Sequence, residues 1–297
     1  MEIFARTLIN GLLLGGVYGL IVLGVVVVAK ATRVVNLAYG GILLLSIYLF
    51  WWLVDSRGLA VPIALLLMVV FDVLLGILID RFFMGPLIGR REAEMISFIG
   101  TVILGSFVLV GFVYLLFGAV PRSMPKVLPS GSLQWGGISV SSTWVCAAAV
   151  GLLMFVVFSL YFRFSKNGLA MRCVAEDTVL SQSLGINVRR TFRYAWIVGT
   201  LSAGVAGILL GSMFALNGSL GDFAMMRALP ILLLAGITSL RGAFVGALLV
   251  GLTESLCGTY VDPHVAGFRE VVPFVMILVV LMILPNGLFQ KRPVARI

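Results

Sequence analysis

"LINGLLLGGVYGLIVLGVVVVA", residues 8–29, decides the class of fold. It runs 22 positions without a charged side chain. At 1.5 Å per residue an α-helix of that length reaches about 33 Å, enough to cross a hydrocarbon core of about 30 Å. The "AKA" that follows at 29–31 resembles a signal cleavage site. The apolar run is too long for a signal core of about 7–15 residues, so it reads as a retained first helix. Similar blocks recur at 59–79, 96–117, 143–164, 192–215 and 268–284. Two more apolar regions are interrupted, at 36–53 and at 227–257, the latter by Pro230, Gly236 and Gly242. The chain is 61% hydrophobic and 11% charged, with mean hydropathy +1.16. A soluble domain carries about 25% charge. The expected fold is an all-α integral membrane protein with about eight membrane-embedded helical segments, residues 1–297 forming a single transmembrane domain.

Region 227–257 reads either as one tilted helix or as two arms of about 12–15 residues, each too short to cross. Two arms make a re-entrant hairpin, tolerated where protein or a cavity covers the broken backbone. Lys and Arg gather on the cytoplasmic side of membrane proteins. With 163–193 inside and 227–257 as a hairpin, 15 of the 21 Lys and Arg fall inside; Arg6, Arg57, Arg122, Lys126, Arg227 and Arg269 stay outside. This places the N-terminus outside and the C-terminus inside. The Pro-, Gly- and Ser-rich 118–142 becomes an external loop with a short hairpin around "WGG". Each half of the chain carries one interrupted segment, as inverted-repeat transporters do.

The net charge of +9 follows from the same membrane rule and does not point to nucleic acid. Cys146, Cys173 and Cys257 are far apart, and His264 is the one histidine, so neither a disulfide framework nor a metal site is expected. There is no nucleophile with a nearby base, which speaks against a membrane enzyme. Asp72, in mid-span, is a functional candidate because an intramembrane carboxylate is costly. It supports a rival reading, an ion-coupled secondary transporter. Glu254 lies nearer a span end and reads as structural or interfacial.

Amid this apolar sequence, "GLAMRCVAEDTVLSQSLGINVRR" at 168–190 stands out. Asn167 is placed to cap a helix start, and Gly185 sits where a left-handed C-cap belongs. Arg172 and Glu176 are spaced to pair across one turn. Met171, Val174, Ala175 and Leu180 form a weak apolar stripe. The segment reads as a short helix on the cytoplasmic face, either an ordinary loop helix or a docking element for a soluble partner.

This stretch resembles the coupling segment of permeases in the branched-chain amino acid ABC importer family. "RVVNLAYGG" at 33–41, "AGITSLRGAFVGALLVGLTE" at 235–254 and "LPNGLF" at 284–289 resemble further segments of that family, in the same order. The departures are Tyr39-Gly40-Gly41 where the family usually has His-Gly-Glu, and a glycine region sparser than usual. The resemblance implies an inner-membrane permease subunit that passes amino acids delivered by a periplasmic binding protein. It implies a second permease chain, homologous or identical, and two ATPase subunits. The 297 residues contain no GxxxxGK[ST], so this chain is expected to bind no cofactor and ATP and Mg would be consumed on the partners. ATPase coupling would fall to a segment at about 165–190, with Gly168, Met171, Arg172, Val174, Glu176, Asp177, Leu180 and Gly185. The substrate path would involve Asn36, Tyr39, Gly40, Gly236, Thr238 and Ser239, where broken helices face a cavity. Caps, interfacial aromatics and close helix packing explain the same path residues without a ligand.

Overall fold

The computed structural model describes residues 2–84, 86, 93–135, 138–237, 239–284 and 288. Long helices α1 (Glu2–Thr32), α2 (Tyr39–Ser56), α3 (Val61–Phe83), α4 (Met95–Phe117) and α5 (Ser142–Phe164) come first. Strands β1 (Ser132–Trp135) and β2 (Ile138–Ser141) pair antiparallel ahead of α5, the small hairpin expected around "WGG"; residues 136–137 lie outside the described residues. Then come two short helices, α6 (Lys166–Glu176) and α7 (Thr178–Ser183), and four more: α8 (Val188–Met213), α9 (Leu220–Ala235), α10 (Leu240–Tyr260) and α11 (Phe268–Ile283). Seven described helices are long and apolar enough to cross a membrane; α9 and α11 are apolar but only 16 residues each. The chain is an all-α, multi-spanning membrane protein.

The helix quoted at the outset is the axis of the bundle. The most apolar window of α1 is 89% buried, against 33% for α3 and α4 and 28% for α5. Those outer helices leave Leu66, Leu74, Phe107, Leu115 and Leu153 exposed, as a surface solvated by lipid requires. In lipid, apolar contact alone gives helices little reason to associate, so packing rests on close approach through small residues. Here α1 meets α10 antiparallel through Gly11, Gly15 and Gly251: a Cβ on Gly15 would sit 2.8 Å from the Leu248 Cα. Gly15→Leu is therefore expected to force the two axes apart and lower the melting midpoint of the purified protein in detergent by several degrees. Leu13→Ala, on the same helix, serves as the reference change.

Two of the expected interruptions, at 33–38 and at Gly236, fall between helices; Pro230 and Gly242 lie within them. Residues 33–38 are non-helical, and α2 then starts inside the bundle: Tyr39 reaches Gly24, two turns before the end of α1, and Ser202, midway along α8, and Gly41 packs on Gly105 in the middle of α4. The 227–257 region is a helical hairpin, but its arms are 16 and 21 residues, not 12–15, because α9 begins upstream at Leu220. Ile231 and Leu234 lie against Gly246, and Arg227 reaches Glu254, so α9 folds back along α10. Pro230 sits inside α9 without ending it, while Gly236 at φ +87° makes the turn.

Contacts fix which elements share an end. Arg33, just past α1, bonds the end of α6, and Leu288 N–H donates to the Leu234 carbonyl near the hairpin tip. Because α10 runs antiparallel to α1, that tip lies at the α6–α7 end. Thr7 meets Thr259, and Arg122 bridges to Leu216, at the other. Among the described residues the α6–α7 end carries Lys30, Arg33, Arg81, Arg163, Lys166, Arg172, Arg189, Arg190, Arg193 and Arg241. The opposite end carries Arg6, Arg57, Arg122, Lys126 and Arg269. Arg227, expected outside, is instead buried within the bundle.

Candidate functional site

The 165–187 segment forms two helices where one was expected. Ser165, not Asn167, caps α6: its Oγ accepts from Gly168 N–H at 2.9 Å, while Asn167 Nδ2 donates to the Tyr161 hydroxyl. Asp177 leaves helical backbone (φ −152°, ψ 112°) and caps α7, its Oδ1 accepting from Leu180 N–H at 2.9 Å. An Asp in mid-segment competes for backbone donors, so the chain breaks there and restarts. Gly185, at φ +81°, closes α7 in a Schellman pattern, with Gly185 N–H on Gln182 O and Ile186 N–H on Ser181 O.

The expected Arg172–Glu176 pair is absent among the described residues: Arg172 Nη2 donates to the Arg163 carbonyl at 3.0 Å. A carbonyl left open at the end of α5 is a better partner for Arg172 than an exposed carboxylate. Arg33 gives the same service to α6, donating to the Ala175 and Glu176 carbonyls at 3.2 Å each. Met171 and Val174 are buried, Met171 within an apolar cluster shared by α1, α5 and α8. Gly168 lies where any side chain would strike the Phe162 backbone. These three residues therefore anchor the platform. The surface it offers is Val179, Leu180 and Leu184, exposed at 73%, 57% and 71%. Of these only Leu180 belonged to the expected stripe; Val179 and Leu184 were missed because the break at Asp177 resets the helical phase.

Five of the six path residues are described, and they have different surroundings. Asn36 is fully buried, and neither amide atom has a partner among the described residues. The Tyr39 hydroxyl lies 3.4 Å from Ser202 Oγ. Gly40 packs backbone to backbone on Gly221, the start of α9. Gly236 supplies the hairpin turn, and Ser239 caps α10 by accepting from Gly242 N–H. Thr238 lies outside the described residues.

Two buried carboxylates differ in their surroundings. Asp72 Oδ1 accepts from Ser46 Oγ at 2.6 Å, its backbone carbonyl accepts from Thr200, and Gly204 leaves room for Oδ2. It thus ties α3 to α2 and α8. Asp72→Asn keeps an acceptor for Ser46, so solute uptake by cells should survive this change; abolished uptake would instead favour proton carriage. Glu254 is no interfacial residue. It is fully buried, taking Tyr18 on Oε2 at 3.0 Å and both Arg227 and Arg269 on Oε1 at 3.0 and 3.1 Å.

Apolar spans packed around a glycine-bearing central helix, with a polar platform held at the basic end, define a multi-spanning membrane protein. Residues 7–281 match the profile of the family described as branched-chain amino acid transport system / permease component, and the chain belongs to that family. It is 27% identical to the high-affinity branched-chain amino acid transport system permease protein LivH of Escherichia coli strain K12, over 99% of this chain and 98% of that one. It is 28% identical, with the same coverage, to the corresponding protein BraD of Pseudomonas aeruginosa. A probable LivH permease of the archaeon Methanocaldococcus jannaschii is 27% identical over 91% of this chain and 87% of its own.

Proposed function

We propose that this chain is one permease subunit of an ABC importer in the inner membrane, moving amino acids, branched-chain ones foremost. A periplasmic binding protein would deliver the solute, a second permease chain would complete the path, and two ATPase subunits would drive it. The observation that carries this reading is the α6–α7 platform. It presents an exposed apolar ridge to the aqueous side while its own carbonyls and buried side chains are clamped to α1, α5 and α8. A ridge held so firmly from behind suits a groove on a moving partner, because force applied to it passes into the central helix. With no P-loop in these 297 residues, the chain would bind no nucleotide, and ATP and Mg would be handled by the partners.

The basic end carries the platform, which makes that end cytoplasmic by the charge rule and puts the start of α1 in the periplasm. Closure of the ATPase pair would move α6–α7 and, through Arg33 and Arg172, the inner ends of α1 and α5. Affinity purification from native membranes in mild detergent tests the assignment. Recovery of two P-loop ATPases and a second permease is expected; repeated recovery of the folded chain without any ATPase counts against it.

A further inference from the structure

At the end opposite the platform, α1, α5, α10 and α11 line a cavity of about 200 Å³ formed by Asn10, Leu14, Trp144, Ser255, Gly258, Thr259 and Arg269. We propose that this cavity binds the zwitterionic head of a free apolar α-amino acid, a site that rests on the importer reading above and receives the solute on the outer face.

The donor and acceptor pattern carries the proposal. Arg269 is bound to Glu254 through Nε, and its two Nη groups have no hydrogen-bond partner among the described residues. Gly258 makes space for this side chain: a Cβ there would lie 3.1 Å from Arg269 Cδ. Asp262 accepts from the backbone N–H of Arg269 and does not bridge to the guanidinium. Beneath it the cluster sets two guanidinium groups, Arg227 and Arg269, against the single carboxylate of Glu254. The free edge of Arg269 therefore offers paired N–H donors to a carboxylate.

The hydroxyls do the reverse. Ser255 Oγ donates its proton to the Thr7 carbonyl at 2.8 Å, and Thr259 Oγ1 donates to the Ser255 carbonyl at 3.0 Å. With their protons engaged, both oxygens can only accept; Thr259 Oγ1 already takes Thr7 Oγ1 at 3.1 Å and keeps one lone pair, which together with Ser255 Oγ suits an ammonium group. Asn10 has no side-chain partner among the described residues and supplies either role. Leu14 and Trp144 give the apolar wall. A carboxylate donor set and an ammonium acceptor set, next to an apolar wall, match an amino acid. The volume is below the roughly 300–1,000 Å³ of drug-sized pockets, as a small solute needs.

Phosphatidylethanolamine carries the same pair of charges, so the test separates the two sources. The full chain is placed in phosphatidylcholine nanodiscs, and binding of radiolabelled leucine is measured against leucinol, which lacks the carboxylate, and 4-methylpentanoate, which lacks the ammonium. Leucine is expected to bind saturably, with both analogues weaker by about tenfold or more, the factor a charge-assisted hydrogen bond supplies. Asn10→Leu should fill the cavity and abolish binding at an unchanged melting midpoint; Arg269→Gln should weaken it at least as much as leucinol does. The proposal falls if the folded wild-type chain binds no leucine, if leucinol binds equally well, or if Asn10→Leu leaves binding intact. It also falls if phosphatidylethanolamine in the nanodisc displaces leucine and co-purifies, which makes the cavity a headgroup site. Leucine binding without ATPase recovery would sink the importer reading alone; ATPase recovery without leucine binding would sink the cavity alone.

Discussion

Glu254→Ala should be the most destabilising single change in the molecule, costing about 3–5 kcal/mol by leaving a buried charge without its partner. The carboxylate is fully buried and holds three side chains from three helices: Tyr18 of α1, Arg227 of α9 and Arg269 of α11. Arg227 is the residue left in difficulty. Its side chain is 7% exposed, its Nε already lacks a partner among the described residues, and the Phe223 ring below its guanidinium, 3.7 Å away, replaces only part of the lost charge. Arg269, with 35% of its side chain exposed, can turn toward water. Hence Arg269→Met should cost far less than Glu254→Ala, and Arg227→Met combined with Glu254→Met should recover much of the loss, since no charge is then stranded. Thermal unfolding in detergent and the yield of membrane-inserted protein read this directly. A Glu254→Ala protein that melts with the wild type would show that water or lipid reaches the site and that the network does not hold the hairpin to α1.

How far the sequence could be read depends on how local the signal is. The long spans needed only a count of apolar residues, because lipid removes the alternatives to a helix. The platform was legible as a polar helix between two spans, yet its outward face was not, since one Asp side chain decided where α6 ends and α7 begins. The Arg227–Glu254 pair joins residues 27 apart in a region taken for short arms, and nothing in the periodicity links them. One signal was present and passed over. "VVNLAYGG" at 34–41 and "ALNGSLGD" at 215–222 align Asn36 with Asn217 and Gly40 with Gly221. Each follows a long helix through a six-residue break, and the two glycines meet backbone to backbone. The two breaks thus hold corresponding places, each between a long helix and one that starts within the bundle.

Charging the ridge should separate coupling from folding. Val179→Glu, Leu180→Glu and Leu184→Glu act on side chains exposed on this chain, so their combined effect on the melting midpoint should be small, as surface changes usually stay within about 0.5 kcal/mol each. If the ridge sits in a partner's groove, the same carboxylates are driven into an apolar interface. Central interface residues cost about 2 kcal/mol or more when lost, so co-purification of the ATPases should fall more than about tenfold and ATP-driven uptake should cease. Glu176→Lys, exposed beside the ridge, should weaken the complex less. Met171→Glu gives the opposite signature. That side chain is fully buried in the apolar cluster that joins α6 to α1, α5 and α8, so the change should unfold the platform and lower the melting midpoint before any partner is involved. Were the ridge variants to keep their ATPases and their uptake, α6–α7 would be an ordinary loop, and force would have to enter the bundle elsewhere.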